Sequence, residues 1–535
     1  MGVCWAQAPA TASPQQPAAE ASGGAAAEPT FDVLEYDVEG NTVLPAVEIE
    51  RAVYPYLGEH RTIRDVEGAR KALEDAYQSA GYQTVFVDIP EQKINSGVVR
   101  LHVLEGRVER TRVAGARYYL QGEIRAKVTE LTPGTVPDFS QMQQQLASVN
   151  KQPDRQVAPI LKPGRAPGTV DVDLSVKDRL PLHIDLEYDN HNSPFTSSNR
   201  ANASIRYDNL WQAQHSLSFN YQVAPEHPSE ARVYDATYLW RFSSIDDVIS
   251  LYAIKSDSNV AVLGSTTILG NGRIEGIRWI RPVLGSTVST GLFNLVTVGF
   301  DRKYFPQTNI SAGTGSVTVY PNISYAVLTA GFSSNWNHES GTAEFSLTGS
   351  SAPRDVFGNS DDEFKGRRVT GSAGYLAWKL GASAEQFAGG HVSMYALIDG
   401  QITADPLIPN EQYPAGGADS VRGYKEAEIT GDRGWRGTLE LRAYPIGRPG
   451  LDGKRTLYVL VFTDAAALRL IDPLGPQIHA TGLASAGFGL RALDWYGFRL
   501  DVDVARALRN GGQGVSAPIT KRGADHFDFS IGWSY

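Results

Sequence analysis

From about Leu180 to Tyr535 the chain alternates apolar and polar residues with a period of two. Ile184, Leu186 and Tyr188 are interleaved with His183, Asp185 and Glu187. Leu217, Phe219 and Tyr221 are interleaved with Ser216, Ser218 and Asn220, and Phe498, Leu500, Val502 and Val504 with Arg499, Asp501 and Asp503. Successive side chains of a strand point to opposite faces, so each such segment has one apolar face and one charged face. About sixteen segments recur, at roughly 22 residues for strand plus connection, which suits tilted antiparallel strands crossing a bilayer. A soluble sandwich would alternate too. Here the polar positions hold many full charges and the apolar ones many aromatics, which favours lipid outside and water inside.

Composition narrows the alternatives. No apolar run approaches the about 18 residues of a membrane-spanning helix, the longest clean one being Leu457 to Phe462. A single Cys among 535 residues excludes a disulfide framework and Cys-based zinc sites. A net charge of −10 argues against nucleic acid as the main partner. The 53 Gly, 24 Tyr, 19 Phe and 9 Trp, at 42% hydrophobic residues, fit strands that are apolar on one face only.

The amino end is of another kind. Residues 1–30 are rich in Ala, Pro, Ser and Gln without apolar periodicity, and read as a disordered leader. Ala6-Gln7-Ala8 has the form of a signal-peptidase site, but the charged and apolar stretches that should precede it are missing, so a truncated signal peptide is one reading and chance the other. Val3-Cys4 is a poor lipoprotein signal.

Between leader and alternating region lie two small α+β modules, each βααββ, spanning 31–106 and 107–178. In the first, Phe31 to Val38 alternates as a strand, helices are expected near Ala46 to Leu57 and Ile63 to Ala80, and strands at Val85 to Ile89 and Val98 to Val103. Val66, Ala69, Leu73, Ala76 and Tyr77 recur at helical spacing, and Gly81 stands where a helix needs a left-handed stop. The second repeats the order with Arg107 to Val113, helices near Gly122 to Leu131 and Phe139 to Val149, then Arg155 to Leu161 and Thr169 to Val176.

The string Gly81-Tyr82, Pro90, Gln92, Ile94, Gly97, Val99, Leu101, Val103, Glu105-Gly106, Val108 resembles the first POTRA domain of two-partner secretion (TpsB) transporters, the ShlB/FhaC/HecB-type haemolysin secretion/activation proteins. Asn150, Pro153, Arg155, Val157 and Pro159 with Pro163-Gly164 resemble the second. The resemblance implies two periplasmic POTRA domains followed by a 16-stranded antiparallel transmembrane β-barrel, covering residues 31 to the end. It also implies a job: export of an unfolded exoprotein of haemolysin or adhesin type from periplasm to surface. POTRA domains would capture that partner, for instance by strand addition, without nucleotide. The alternative on the same architecture is insertion of outer-membrane proteins, for which two POTRA units rather than a longer array speak poorly. A passive porin needs neither POTRA domains nor an inward loop. Nothing suggests several copies, so a monomer is expected.

The segment of about 30 residues from 403 to 433 is long for a structureless loop and so marks function. Its Val421-Arg422-Gly423-Tyr424 resembles the superfamily signature of a loop folded back into the lumen, between the eleventh and twelfth strands. Alternation in Gly437 to Arg442 turns Thr438, Glu440 and Arg442 toward the lumen. Phe462 and Asp464 share one face, and Phe462-x-Asp464 is similar to the family's barrel-wall motif that receives the loop Arg. A guanidinium fork could then be held by Glu440 and Asp464. Phe527, Phe529, Ile531, Trp533 and Tyr535 share a face of the last strand and resemble the carboxy-terminal signal read by the barrel-assembly machinery. Outer-membrane lipid is the remaining expected partner. The proline-interrupted leader (Pro9, Pro14, Pro17, Pro29) makes the pore-plugging helix of some family members doubtful. No nucleophile elbow, acid/base pair or ligand set stands out and the 10 His are scattered, so no enzyme, cofactor or metal is expected.

Overall fold

The computed structural model describes residues 29–535, except 95, 243–245, 259–261, 264–266, 269, 288–290, 312–316, 448–454, 475–476 and 513–516. The leader, its Ala6-Gln7-Ala8 site, Cys4 and the question of a plug helix therefore lie outside the described residues. The chain forms two compact units, Met1–Arg179 and Leu180–Tyr535.

The first unit holds both modules. Module one comprises β1 (Phe31–Val33), β2 (Glu35–Glu39), α1 (Ala46–Val53), β3 (Gly58–Arg61), α2 (Ile63–Ser79), β4 (Val85–Asp88) and β5 (Val98–Glu105). It differs from the expected βααββ in three places. The stretch Phe31 to Val38 is two strands, because the chain bends at Leu34, whose N–H donates to Gly97 O (2.7 Å). β3, unforeseen, pairs with β1, while β2 lies parallel to β5. The first helix stops at Val53 and tightens into a 3-10 turn, Tyr54–Tyr56, that carries Pro55. The second helix is as periodic as its sequence. Asp65 caps it by accepting from the Thr62 N–H (2.8 Å) and hydroxyl (2.9 Å), contacts that hold its carboxyl below the usual carboxylate range. Val66, Ala69, Leu73 and Tyr77 are buried along one face.

Module two comprises β6 (Arg107–Ala114), α3 (Gln121–Ala126), α4 (Phe139–Val149), β7 (Arg155–Pro163) and β8 (Thr169–Asp178), with a short 3-10 turn, Thr129–Leu131, where the helix near Gly122 to Leu131 was expected to continue. The two modules share packing: Val136 of the second sits in the core of the first, with Leu44, Leu73, Tyr77 and Val103. Glu105 ties the junction, accepting from the N–H groups of Thr42 (2.5 Å) and Val43 (3.1 Å) and from Arg107 (2.7 Å). Gly81 ends α2 with φ +102, and a Cβ there would lie 2.5 Å from Oδ1 of Asp138, the residue that caps α4.

The second unit is a closed antiparallel barrel of sixteen strands, running from Leu182–Asp189 to Asp525–Ser534. Where the barrel closes, the last strand pairs with the first through five register pairs, Asp185 to Asp189 against Ser530 to Ser534. Asn190 extends the seam with its side chain, donating to Phe527 O (2.7 Å) and accepting from the Phe529 N–H (2.8 Å). Alternation sorts the wall. Phe527, Ile531 and Tyr535 are 53%, 46% and 62% exposed on the outer face, while Asp528 and Ser530 are buried on the inner one.

Gly81→Val is expected to destabilise the first unit by about 2–4 kcal/mol, from a left-handed backbone plus overpacking. Because Asp138 is the group struck, thermal unfolding with limited proteolysis should show both modules loosening together; a change confined to module one would contradict the shared packing.

Candidate functional site

The loop between the eleventh strand (Val392–Thr403) and the twelfth (Arg433–Ile446) folds into a small hairpin, with Tyr413–Ala415 paired to Ile429–Gly431. Its tip carries the tetrapeptide, and each of the four residues has a separate contact. Val421 is fully buried in a cluster with Tyr413, Tyr424, Leu468 and Leu483. Gly423, at φ +88, brings the backbone close to the wall, where a Cβ would stand 3.1 Å from that of Ala505. The Tyr424 hydroxyl lies 2.8 Å from Ala484 O and 2.9 Å from Arg509 O.

Arg422, 4% exposed, is held on every side. Its Nε and Nη2 donate to the two oxygens of Asp464, each at 2.8 Å, and its backbone N–H donates to Asp464 Oδ2 (3.1 Å). Nη1 lies 2.8 Å from Glu440 Oε1 and 3.9 Å from Asp503 Oδ1. The guanidinium stacks over Phe462, 3.5 Å from the ring centroid. Strand register explains the gathering: Glu440 stands opposite Phe462 across the twelfth and thirteenth (Thr456–Arg469) strands, and Phe462 precedes Asp464 by two on the same face. The structure thus brings Arg422, Glu440, Phe462 and Asp464 together. It places Phe527, Phe529, Ile531, Trp533 and Tyr535 elsewhere, on the last strand and beyond its end.

Several contacts were not read from the sequence. Asp503 lay in a recognised alternation, on the face opposite Val502 and Val504, and could have been named from it. Lys425 Nζ donates to Asn192 Oδ1 (2.7 Å), and Glu428 accepts from Gly512 N–H (3.0 Å) and the Thr520 hydroxyl (2.6 Å), so the tip also binds the first and last outer loops. At the loop's root, the fully buried Asp432 pairs with Arg368 (2.5 Å) and accepts from the N–H of Leu407 (3.1 Å) and Ile471 (2.6 Å). Loop residues have no periodicity, so no sequence signal pointed to these.

This arrangement has no reactive geometry; it is a docked loop held by charge. A family model described as "Haemolysin secretion/activation protein ShlB/FhaC/HecB" matches residues 168–492, and one described as "POTRA domain, ShlB-type" matches residues 31–106. The chain is 25% identical over 442 residues to the outer membrane transporter CdiB of Escherichia coli O6:K15:H31 (strain 536), covering 78% of this chain and 70% of the relative. It is 21% identical over 476 residues to the heme/hemopexin transporter protein HuxB of Haemophilus influenzae (strain 86-028NP), covering 86% and 81%. The solved structure of CdiB from Escherichia coli has the same fold, with a TM-score of 0.62 at 18% identity over 97% of this chain and 93% of that one.

Loop docking can be read by maleimide labelling of Ser420→Cys, with Cys4 changed to Ser so that the probe is the only thiol. Arg422→Ala and Asp464→Ala should each speed labelling strongly, and Glu440→Ala less. Breaking a buried pair typically costs about 3–5 kcal/mol. Arg422→Lys should rescue poorly, because a point charge cannot span both carboxylates. The Arg422→Ala/Asp464→Ala double variant should label little faster than either single; fully additive effects would show two independent contacts.

Proposed function

The chain belongs to the haemolysin secretion/activation protein (ShlB/FhaC/HecB) family of outer-membrane two-partner secretion transporters, not to an enzyme class, and from that premise we propose how it handles its exoprotein. The POTRA modules take up the unfolded partner in the periplasm. The chain then crosses the barrel lumen, from which the docked loop tip gives way, and reaches the surface. CdiB and HuxB are transporters by name, which supports export over the insertion of other barrels.

The observation that carries the capture step is the state of the sheet edges. The two three-stranded sheets, ordered β2-β5-β4 and β6-β8-β7, have four outer edges between them. At β4, Val87 donates to Glu74 (3.4 Å) and accepts from Arg70 (3.3 Å). At β7, the Asn150 amide makes both bonds to Val157 (2.7 and 2.9 Å), and Pro159 and Pro163 lack an N–H altogether. At β6, Val108 is bonded to Thr135 O (2.9 Å) and the Gly134 N–H (2.7 Å). That cover stops at Val108 of β6, and among the described residues β2 has none along its length. Glu35 donates inward to Gly97 O (3.1 Å), so by alternation along a parallel ladder Tyr36 and Val38 present their backbone groups outward. An unfolded exoprotein segment would add there as an extra strand.

Val38→Pro removes an outward N–H and leaves the β5 side intact. Export should fall by about tenfold or more while the barrel still inserts and keeps its heat-modifiable gel mobility. Normal export by a correctly folded Val38→Pro protein would rule out capture at this edge.

A further inference from the structure

The three carboxylates around Arg422 are not equivalent. Asp464 accepts from Arg422 alone; among the described residues no second cation pairs with it. Glu440 is shared. While Oε1 faces Arg422, Oε2 accepts from Nε (2.8 Å) and lies 2.7 Å from Nη2 of Arg442, two residues further along the same strand. Asp503 is already gripped on both oxygens by Arg491, at 3.0 and 2.6 Å, on the fourteenth strand, Ala480–Trp495. Arg442 and Arg491 belong to the wall. They stay when the loop leaves.

We propose that Arg442 and Arg491 are resident counter-ions that keep Glu440 and Asp503 neutralised once Arg422 has withdrawn, so that releasing the loop strands only one carboxylate, Asp464. They are positioning residues for the loop's exit, not for its docking. This rests on the reading that the loop tip gives way during export. The physical reason is that removing one partner of a buried pair is expensive because the other charge remains unpaired. Three carboxylates depending wholly on Arg422 would be three such penalties at each release. With Arg442 and Arg491 in place, two of the three are met beforehand.

The proposal makes a sign prediction opposite to the plain alternative, in which Arg442 merely holds Glu440 out for Arg422. Without Arg442, Glu440 keeps a partner in the docked state and loses every cation in the released one, so release becomes harder. Relief of repulsion between the two guanidiniums acts in the same direction. The other partner of Arg442, Glu385 (2.8 Å), keeps bonds from the Tyr444 (2.7 Å) and Ser393 (2.5 Å) hydroxyls in either state and so cancels.

The test uses the full chain in native outer membranes, with Ser420→Cys as the only thiol and a maleimide as probe. Arg442→Gln should label about tenfold more slowly than its parent, and export should fall. Arg491→Gln should shift labelling the same way and covers the case in which Arg442→Gln fails to insert. Arg442→Gln with Glu440→Gln leaves no charge at position 440 to strand, so Asp464 is again the only stranded carboxylate and labelling should return to the Glu440→Gln rate or above. Faster labelling in either single variant, or a double variant that stays slow, overturns the counter-ion assignment. Slow labelling with undiminished export would leave the assignment standing and instead remove the loop's exit from the export reading.

Discussion

A guanidinium buried inside a barrel is tolerable only where the wall supplies carboxylates at the right depth, and that requirement fixes much of this molecule. Arg422 reaches Asp464 through Nε and Nη2, one edge of its guanidinium, and through its own backbone N–H. It does so because the thirteenth strand presents Phe462 and Asp464 to the lumen and the twelfth sets Glu440 opposite Phe462. A slip of one residue in either register would turn these groups into lipid. The loop can dock only in a barrel closed in this register. Sixteen strands with consecutive antiparallel pairing provide it.

The surrounding wall continues the same chemistry. Arg442 stacks over Tyr395, 4.1 Å from the ring centroid, while pairing with Glu440 and Glu385. Elsewhere on the luminal wall, Arg278 holds Asp301 bidentately (2.6 and 2.7 Å). Charges of opposite sign sit on adjacent or alternate wall positions and satisfy one another. Such paired charges present no one strong sign to the lumen.

How far the sequence could be read follows from where periodicity exists. The wall was legible because lipid and water impose a period of two on it. The tetrapeptide and its receiving motif were legible through resemblance, and the lumen-facing side of Glu440 through alternation. Alternation is weakest in the apolar run Leu457 to Phe462, and the structure gives the reason. Val459 and Val461 face outward, 47% and 55% exposed, while Leu460 and Phe462 pack inside with Ala505. The luminal face turns apolar where a loop lies on it, so the break in the pattern marks the docking site. β3 was illegible because Gly58-Glu-His-Arg61 has no apolar alternation, and its His60 adopts φ +56 with its N–H bonded to Asp32 (3.0 Å). Arg368 and Asp432 meet across loops separated by 64 residues, a relation no local pattern encodes.

The two ends of the loop are held by different means, and the difference bears on which part can move. At the root, Asp432 is fully buried and accepts from the Leu407 and Ile471 N–H groups, the Gln412 amide (3.1 Å) and Arg368, so its charge is met by backbone and side chain together. Its own carbonyl accepts from Gln401 (2.9 Å) on the neighbouring strand, and its N–H donates to Arg469 O (2.9 Å). Pulling the root out would leave buried backbone groups without partners, each a desolvation cost of about 1–3 kcal/mol. The tip is tied mainly through side chains, and two of its three facing carboxylates already have other cations. Gly416 and Gly417, at φ +109 and +113, stand between the two regions, where the backbone can turn without a Cβ penalty. Energetically the loop divides there: the hairpin base is part of the barrel, and the segment carrying Arg422 is the part whose departure the wall can sustain.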